Sequence, residues 1–256
     1  MPSIEANRAN WNDPEKWERD GDEWSDSWGG TPSLWFGSIL PRLWPLLPAR
    51  NLLEIAPGHG RITAHLLAHT ERYTGIDLAP NCVAHCRQRF AGVAHARFLG
   101  TDGRSLAGID DASIDLVFSW DSLVHAERDA MVGYVNEIAR VLVPGGSAWL
   151  QHSNLGAFTD AAGVPTIANP NWRGSSVSAA SMREWATAAG LACVSQEIVQ
   201  CAEADVDCIT VLRRPVPGQP VAAPVLHRHE DFAVEMRHFR HITSIYGAGA
   251  AQRPRT

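Results

Sequence analysis

Asn51-Leu52-Leu53-Glu54-Ile55-Ala56-Pro57-Gly58-His59-Gly60-Arg61-Ile62-Thr63 is the stretch that decides the fold. It predicts a buried strand that breaks into a glycine turn and restarts as a helix. About seventeen residues after the last glycine, a second strand-like run ends at Asp77. Because the carboxyl ends of neighbouring parallel strands meet at one edge of a sheet, this carboxylate is expected to accept hydrogen bonds from a ribose diol. The sequence therefore predicts a Rossmann-like site for a nucleotide-sized cofactor.

Strand and helix patterns alternate from residue 51 onward, which favours a doubly wound α/β sheet of about seven strands. The last two strands are close enough in sequence for a hairpin, so the final strand is expected to be antiparallel. The predicted strands are 51–56, 72–76, 95–99, 113–119, 147–153, 191–200 and 207–213, and the predicted helices are 61–69, 79–90, 128–142 and 178–189.

Residues 1–50 form a separate arm with six tryptophans, and its first thirty residues carry eight acidic against three basic side chains. We expect short helices that fold back as a lid and give a pocket aromatic surface; the alternative is plain hydrophobic docking of an extension. Residues 51–214 form the main domain. Residues 215–256 read as a Pro-rich linker and a tail with a helix at 229–246, which docks on a neighbouring subunit or stays mobile. A homodimer is therefore kept open.

Composition and charge argue against several classes of function. The formal charge is -6 and Lys16 is the only lysine, so a basic surface for nucleic acid is not expected. No leader and no bilayer-length apolar run stand out, which predicts a cytoplasmic protein without a membrane partner. Five cysteines without a CxxC pair argue against disulfides and zinc ribbons. Cys82, His85 and Cys86 share a predicted helix, but we interpret them, like the histidines of the tail, as ordinary helix residues and predict no metal.

The segment Glu54–Gly60 resembles motif I of the class I S-adenosylmethionine-dependent methyltransferases, E/D-x-G-x-G-x-G. Ala56 stands where the first glycine is usual, which costs little if its φ torsion stays negative. The resemblance implies that Gly58 and Gly60 let the backbone approach the methionine moiety of the cofactor. It also implies that Glu54 lies near the cofactor's amino end.

Later segments extend the resemblance over residues 50–214. Gly75–Ala79 matches the segment whose acid binds the ribose, and Gly100–Gly103 matches the segment that meets the adenine. Residues 114–119 and 140–146 match the strand-four motif and the turn before strand five. The resemblance implies a Rossmann-like fold, S-adenosylmethionine as cofactor and methyl transfer as the activity. The cofactor-binding residues it implies are Glu54, Ala56, Gly58, Gly60, Asp77, Leu78, Asp102, Gly103 and Ser119.

Candidate catalytic residues follow strands four and five. Asp121 and His125 are four apart, so both lie on one face if the chain is helical there, and the carboxylate could orient the imidazole as a general base. The D-x-x-x-H spacing is similar to a segment of the phosphoethanolamine methyltransferases. The alternative is that His125 only packs or caps a helix and Asp121 is a solvated turn residue. For His152 and Asn154 a direct role in the site and structural hydrogen bonding both stay open.

Candidate acceptor-binding residues are Trp28, Trp120, Asn154, Trp172 and Arg173, because the loop 154–177 is as long as many lids and aromatic faces pack against sugars. A surface-packing role for the loop residues stays open. We predict transfer of a methyl group to a small polar acceptor, a hydroxyl of a sugar, glycoconjugate or secondary metabolite. The runner-up is N-methylation of a small amine.

Two further alternatives are a nicotinamide-dependent oxidoreductase and a binding module without catalysis. The oxidoreductase fits worse, because the third glycine of G-x-G-x-x-G would fall at Thr63. A Tyr-x-x-x-Lys pair is also unavailable, since the only lysine is Lys16. Formation of S-adenosylhomocysteine from a panel of acceptors would distinguish all of these alternatives.

Overall fold

A computed structural model describes residues 2–201 and 204–247. One sheet of eight strands has the order β3-β2-β1-β4-β5-β7-β6-β8, and β7 alone runs antiparallel to the other described strands. The predicted doubly wound sheet and its antiparallel hairpin are confirmed, with one strand more than expected. The strands are β1 (Ala49–Ile55), β2 (Thr70–Asp77), β3 (Ala96–Gly100), β4 (Ile114–Ser119), β5 (Leu142–Ser153), β6 (Ala192–Cys201), β7 (Ala204–Arg213) and β8 (Val225–His229).

The helices cover both faces of this sheet, as the alternating pattern predicts. The first predicted helix, 61–69, is shorter than expected, because the glycine turn continues and regular helix begins only at Thr63. The α-helices are α1 (Ile4–Trp11), α2 (Thr31–Leu34), α3 (Leu40–Leu43), α4 (Thr63–Leu66), α5 (Pro80–Arg89), α6 (Arg128–Val141), α7 (Ala179–Ala188) and α8 (Phe232–Gly247). None of the helices in the described ranges combines the length and apolarity needed to cross a bilayer.

One face of the sheet is covered by α6 and α7. Met131, Val135 and Ile138 recur at helical spacing, and the structure buries all three with Met182 of α7. Ser178 caps α7 and forms a capping box with Ser181, which sets where this helix begins. This apolar layer leaves the carboxyl edge of the parallel strands open to ligands.

The opposite face is covered in part by the N-terminal arm, whose two halves have different positions. Trp35, Ile39 and Leu43 follow the Gly29-Gly30 break and are buried against Phe118 and Trp149 of the sheet. The helical segment 31–43, which includes a π-helical turn at Trp35–Ile39, is therefore part of the core. Only the first half of the predicted lid, residues 4–28, lies over the edge of the sheet where ligands bind.

The C-terminal tail differs from the expectation. At the start of the predicted tail, directly after the Pro-rich linker, Val225–His229 forms β8 and extends the sheet by pairing parallel to β6. Helix α8 then packs on the arm of the same chain, where the rings of Phe232 and Trp28 meet at 5.4 Å. Arg42 of the arm donates to Glu197 on β6 and to Glu235 on α8. The described part of the tail therefore packs on its own chain, and a contact with a neighbouring subunit stays a prediction.

Candidate active site

A cavity of about 910 Å³ opens at the carboxyl ends of β1, β2 and β4. Its volume is at the upper end of the range of about 300–1,000 Å³ that ligand pockets occupy, so a nucleoside cofactor and a small acceptor fit together. The arm forms one wall, and Phe232 and Met236 at the start of α8 complete the lining. Segments from both ends of the chain thus close the site that the glycine turn begins.

The turn after β1 has three residues with a positive φ, which are Ala56, Gly58 and Gly60. Ala56 has a φ of 57°, so the condition under which alanine costs little here, a negative φ, is not met. An L-residue costs roughly 1–2 kcal/mol in this conformation. Gly58 has a φ of 59° and meets no such penalty. Ala56 and Gly58 both line the cavity, as the resemblance implies.

Asp77 is held in place at the end of β2. Its two carboxylate oxygens accept hydrogen bonds from the amides of Ala79 and Gly58, at 2.8 and 3.0 Å. Burial raises the pKa of Asp77 to about 6. A carboxylate has about four acceptor positions, so the two amide bonds fix its orientation and leave lone pairs for a ribose diol. The geometry fits the predicted role.

Glu54 is also buried, and its Oε2 accepts hydrogen bonds from the hydroxyls of Thr63, at 2.7 Å, and of Tyr73. Burial raises the pKa of Glu54 to about 7 and that of Tyr73 well above its ordinary value. Glu54 lines the cavity beside the glycine turn. Its position fits a role at the amino end of the cofactor, with the two hydroxyls holding the carboxyl group.

The far end of the cofactor half is apolar. Leu78, Gly103 and Ile4 of the arm line the cavity there, and a Cβ at Gly103 would lie 2.9 Å from Ile4. Asp102, which the resemblance assigns to the adenine amino group, is instead exposed and outside the lining. Its Oδ1 accepts hydrogen bonds from the backbone amides of Arg104 and Ser105, and these bonds stabilise an exposed turn. The predicted contact of Asp102 with the cofactor is not supported by this position.

Two other predicted cofactor residues lie outside the cavity. The hydroxyl of Ser119 is fully buried and donates to the carbonyl of Ile55 at 2.9 Å, which joins β4 to β1. Gly60 has a φ of 83°, and a Cβ there would lie 2.5 Å from the ring of Phe90. Gly60 therefore allows close packing of α5 against the turn. Both residues support the strands and the turn around the cavity, and neither of them lines it.

His125 lies in the cavity wall, in the short 3-10 turn that follows β4. Its Nδ1 lies 3.0 Å from the carbonyl oxygen of Trp172, which can only accept, so Nδ1 carries the proton. Burial lowers the pKa of His125 below its ordinary value. The imidazole is thus neutral near pH 7, and Nε2 keeps its lone pair.

Asp121 does not orient His125 as predicted, because the segment between them is not a continuous helix. Asp121 has a φ of 56°, and its carboxylate accepts from the guanidinium of Arg61 at 2.6 Å. The carbonyl of Trp172 orients His125 in its place. Asp121 remains in the lining as one member of an ion pair.

His152 and Asn154 lie within the fold instead of the site. His152 is fully buried; its Nδ1 is 2.8 Å from the carbonyl of Ser153 and its Nε2 is 2.7 Å from the hydroxyl of Thr210. Burial lowers the pKa of His152 to about 4. Asn154 bonds the backbone of Asp205 and of Ala179. Structural hydrogen bonding, the alternative kept open for both, is what these contacts provide.

A buried polar network forms the floor beside His125. Arg173 makes a two-pronged ion pair with Asp207, at 3.0 and 2.8 Å, and both side chains are almost fully buried. Gln151 donates to the same carboxylate at 3.2 Å and accepts the amide of Asp121 at 2.8 Å. Sequence reasoning found Arg173 and missed Gln151 and Asp207, since nothing in their local sequence distinguishes them from ordinary strand residues.

Indole rings form much of the remaining surface of the cavity. Trp28, Trp120 and Trp172 were predicted here, and three further indoles of the arm were expected only in general terms. The ring of Trp11 lies 5.3 Å from His125, centroid to centroid. The lining tryptophans are Trp11, Trp17, Trp24, Trp28, Trp120 and Trp172.

Strained backbone is concentrated at the same place. Six non-glycine residues of the described chain have a positive φ, and four of them line the cavity: Ala56, Asp121, Asn171 and Trp172. Such conformations cost of order 1–3 kcal/mol each and persist where the surroundings over-determine them, as in ligand sites. The concentration of strained residues in the cavity lining therefore supports the assignment of this cavity as the functional site.

Comparison with known proteins gives the same interpretation. Residues 52–146 match the family model described as a methyltransferase domain. The N-methyltransferase NodS from Bradyrhizobium japonicum WM9, in complex with S-adenosyl-L-homocysteine, is 21% identical, with a TM-score of 0.59 over 82% of this chain and 98% of that one. A TehB-like SAM-dependent methyltransferase from Corynebacterium glutamicum is 17% identical, with a TM-score of 0.53 over 79% and 100%. The [4+2]-cyclase SpnF is 18% identical, with a TM-score of 0.54 over 72% and 81%.

Residues 52–146 thus form a methyltransferase domain, in agreement with the resemblance of the ordered motifs to the S-adenosylmethionine-dependent methyltransferases. The Rossmann-like fold, the enzyme class and the cofactor predicted from the sequence agree with these findings. The solved structures share the fold at low identity, and one of them is named a cyclase. The acceptor must therefore be argued from this chain's own cavity.

Proposed function

We propose that this methyltransferase transfers a methyl group to a hydroxyl of a small polar molecule bound in the indole-lined cavity, with His125 as the general base. The observation that carries the proposal is a neutral imidazole, fixed through the carbonyl of Trp172, in the wall of a cavity that begins at the cofactor turn. S-adenosylmethionine, when bound, supplies a methyl group on a positively charged sulfur.

The protonation state of His125 suits the removal of a hydroxyl proton. A base must be unprotonated at the working pH and within hydrogen-bond reach of the proton that it accepts. Burial lowers the pKa of His125, and the bond from Nδ1 to the carbonyl assigns the lone pair to Nε2. The resulting imidazolium would be stabilised by the same carbonyl, which continues to accept from Nδ1.

The polar floor favours an acceptor with several hydroxyl groups. Asp121 lies 2.6 Å from the guanidinium of Arg61, and Asp207 lies 2.8 Å from that of Arg173. Their carboxylates can accept hydroxyl donors with their remaining lone pairs, since each oxygen has two acceptor positions. The indoles can pack against the C–H faces of a ring. A sugar, glycoconjugate or hydroxylated secondary metabolite combines both features.

An amine acceptor is the second candidate, and a specific observation favours it. Carboxylates of Glu23, Asp121 and Asp129 line the same cavity as the six indoles. An ammonium group is attracted to carboxylates, and its contact with an indole face contributes about 0.5–2 kcal/mol. The amine would need to lose a proton before transfer, and His125 could accept it.

The experiment is incubation of the purified full-length chain with S-adenosylmethionine and a panel of sugars, hydroxylated aromatics and small amines, with S-adenosylhomocysteine measured by mass spectrometry. We expect turnover with a hydroxylated compound and a product with its new methyl on oxygen. A product methylated on nitrogen would support the second candidate. Absence of any turnover, together with tight binding of the cofactor, would contradict both and support a binding or cyclase-like role.

A further inference from the structure

A second cluster of ligand-type side chains lies behind the glycine turn, outside the cavity. It consists of Asp20 of the arm, His59 from the turn itself and His85 of α5. One potential ligand atom from each residue lies within 4.8 Å of the other two. We call these three residues the His-Asp cluster. Methyl transfer, as described above, uses none of them.

His59 has an unusual environment for a histidine. Its side chain is about 6% exposed, and both ring nitrogens are buried without a hydrogen-bond partner among residues 2–201 and 204–247. Nε2 of His85 is likewise buried and without such a partner. An unsatisfied buried polar group costs about 1–3 kcal/mol, so most such groups in proteins have a partner. Three unsatisfied nitrogen atoms in one place point to a ligand between the rings and the nearby carboxylate.

The distances within the His-Asp cluster suit one ion. Oδ1 of Asp20 lies 3.3 Å from Nε2 of His85 and 4.0 Å from Nδ1 of His59. Ligand atoms that sit about 2.0–2.1 Å from a tetrahedral zinc ion are separated by roughly 3.3 Å. The two imidazole rings are stacked at 3.8 Å with an angle of 6° between their planes. Because imidazole lone pairs lie in the ring plane, the rings must turn out of this stack, and the exposed carboxylate must move towards them, for all three atoms to reach one ion.

We propose that Asp20, His59 and His85 bind a divalent transition-metal ion of the zinc class. Two imidazoles and one carboxylate form a ligand set that zinc accepts, with the fourth position left for water. Imidazole binds metal only when it is neutral. Neither ring nitrogen of His59 has a hydrogen-bond partner among the described residues, so either can coordinate an ion.

The cysteines of α5 are not part of this site, although they flank His85 in sequence. Burial raises the pKa of both Cys82 and Cys86 far above the ordinary value, and metal-binding sulfur must be a thiolate. Their sulfur atoms face carbonyls instead, Cys82 that of Trp11 and Cys86 that of Gly58. The sequence spacing thus grouped His85 with the two cysteines, whereas the structure places it beside Asp20 and His59. The proposed site replaces the prediction of no metal.

An ion in the His-Asp cluster would join three segments that are far apart in sequence. The ring of Trp17 stacks on His59 at 4.4 Å, and a Cβ on Gly58 would come within 2.5 Å of that indole. Arg89 already ties the same segments by donating to the carbonyl of His59 at 2.8 Å. The metal would therefore fix the arm over the glycine turn, which makes its role structural and not catalytic.

The test is calorimetric titration of the metal-free, full-length protein with zinc chloride. We expect one tight equivalent. Asp20→Asn and His85→Gln should each weaken that binding by more than the roughly 10- to 100-fold that loss of an outer-shell partner causes. Asp20 has a φ of 56° and is exposed, and asparagine tolerates this backbone well, so Asp20→Asn should fold normally. Zinc should also slow hydrogen exchange in residues 17–24.

Two matched controls separate this site from other binding. His227→Gln alters the second group of potential ligands, Glu197, His227 and His229, and should leave the tight equivalent unchanged. Asp26→Asn removes another exposed acid of the arm, which pairs with Arg19, and should also have no effect. The proposal is overturned if zinc does not bind, or if Asp20→Asn and His85→Gln bind it as tightly as the wild type. Either result leaves the methyl-transfer proposal untouched, since that proposal uses none of these residues.

Discussion

The two halves of the cavity are built in different ways. The cofactor half rests on one turn and the strand that follows, where the amide of Gly58 meets the carboxylate of Asp77. The acceptor half depends on side-chain contacts between distant segments: Arg61 with Asp121, and His125 with the carbonyl of Trp172. Backbone turns are encoded locally and can be recognised by their spacing. Long-range contacts depend on how the loops fold and leave no such local pattern.

The largest expected effect tests the acceptor half. His125→Ala should lower kcat by about 10²- to 10⁴-fold, because a positioned general base contributes that much to a proton-transfer step. The dissociation constant of S-adenosylhomocysteine should change little, since no cofactor contact is removed. Steady-state kinetics with the identified acceptor and calorimetry with the product measure the two quantities.

The matched control for this change is His152→Gln. His152 was predicted as a second catalytic residue, but it is buried against Thr210 and Ser153. The variant is expected to lose stability and keep kcat per folded molecule. A loss of kcat in His152→Gln equal to that in His125→Ala would mean that the acceptor half extends behind β5, against this account.

The next effect is a dependence of stability on pH. Burial lowers the pKa of His152 from 6.5 to about 4, so below pH 6.5 the unfolded chain binds a proton that the folded chain does not. The contribution of His152 to the free energy of unfolding is full above pH 6.5. It is lost as the pH falls towards 4, and the total loss is about 3 kcal/mol. Denaturant unfolding at several pH values should show this slope. It should be smaller in His152→Gln, and an identical slope would contradict the assignment.

A smaller effect tests the cofactor half. Asp77→Ala should weaken binding of S-adenosylhomocysteine by about 10- to 100-fold, since hydrogen bonds to a charged group contribute about 1.5–3 kcal/mol each. Asp102→Ala should change the affinity less than about twofold, because Asp102 holds an exposed turn outside the cavity. Calorimetry on both variants checks the pair. An equal loss in Asp102→Ala would restore the role that the family resemblance implied.

The smallest effect concerns the strain at the glycine turn. Ala56→Gly should raise the free energy of unfolding by about 0.5 kcal/mol, since relief of the left-handed torsion slightly exceeds the added flexibility of the unfolded chain. Gly58→Ala should have the opposite sign, because its Cβ would come within 2.5 Å of Trp17 at nearly the same torsion. Equilibrium unfolding in urea measures both. A destabilised Ala56→Gly variant would show that Ala56 makes contacts that outweigh its strain.

The sequence predicted those parts of the molecule that depend on local patterns. Strand, turn and helix spacing identified the glycine turn, Asp77 and the antiparallel hairpin. It missed β8, because Val225–His229 follows a Pro-rich run and is exposed, so the run lacks the alternation of a half-buried strand. It also placed Asp102 at the cofactor from motif position alone, and motif position does not reveal which way a side chain turns.

The arm shows the same limit within one segment. Six tryptophans in fifty residues indicated an aromatic surface, but not which of them would line the cavity. Trp28 lines the cavity, whereas Trp35 is buried in the core and Trp44 is exposed. What separates them is the turn at Gly29-Gly30 and the packing of α8, and both are long-range features of the fold.

The most direct test of the account is a crystal structure of the full-length chain with S-adenosylhomocysteine. We expect the ribose hydroxyls on Asp77 and the sulfur facing the indoles, with space for an acceptor oxygen about 2.6–3.2 Å from Nε2 of His125. A ligand bound elsewhere, or a sulfur atom turned away from His125, would contradict the claim that this one cavity holds cofactor, acceptor and base together.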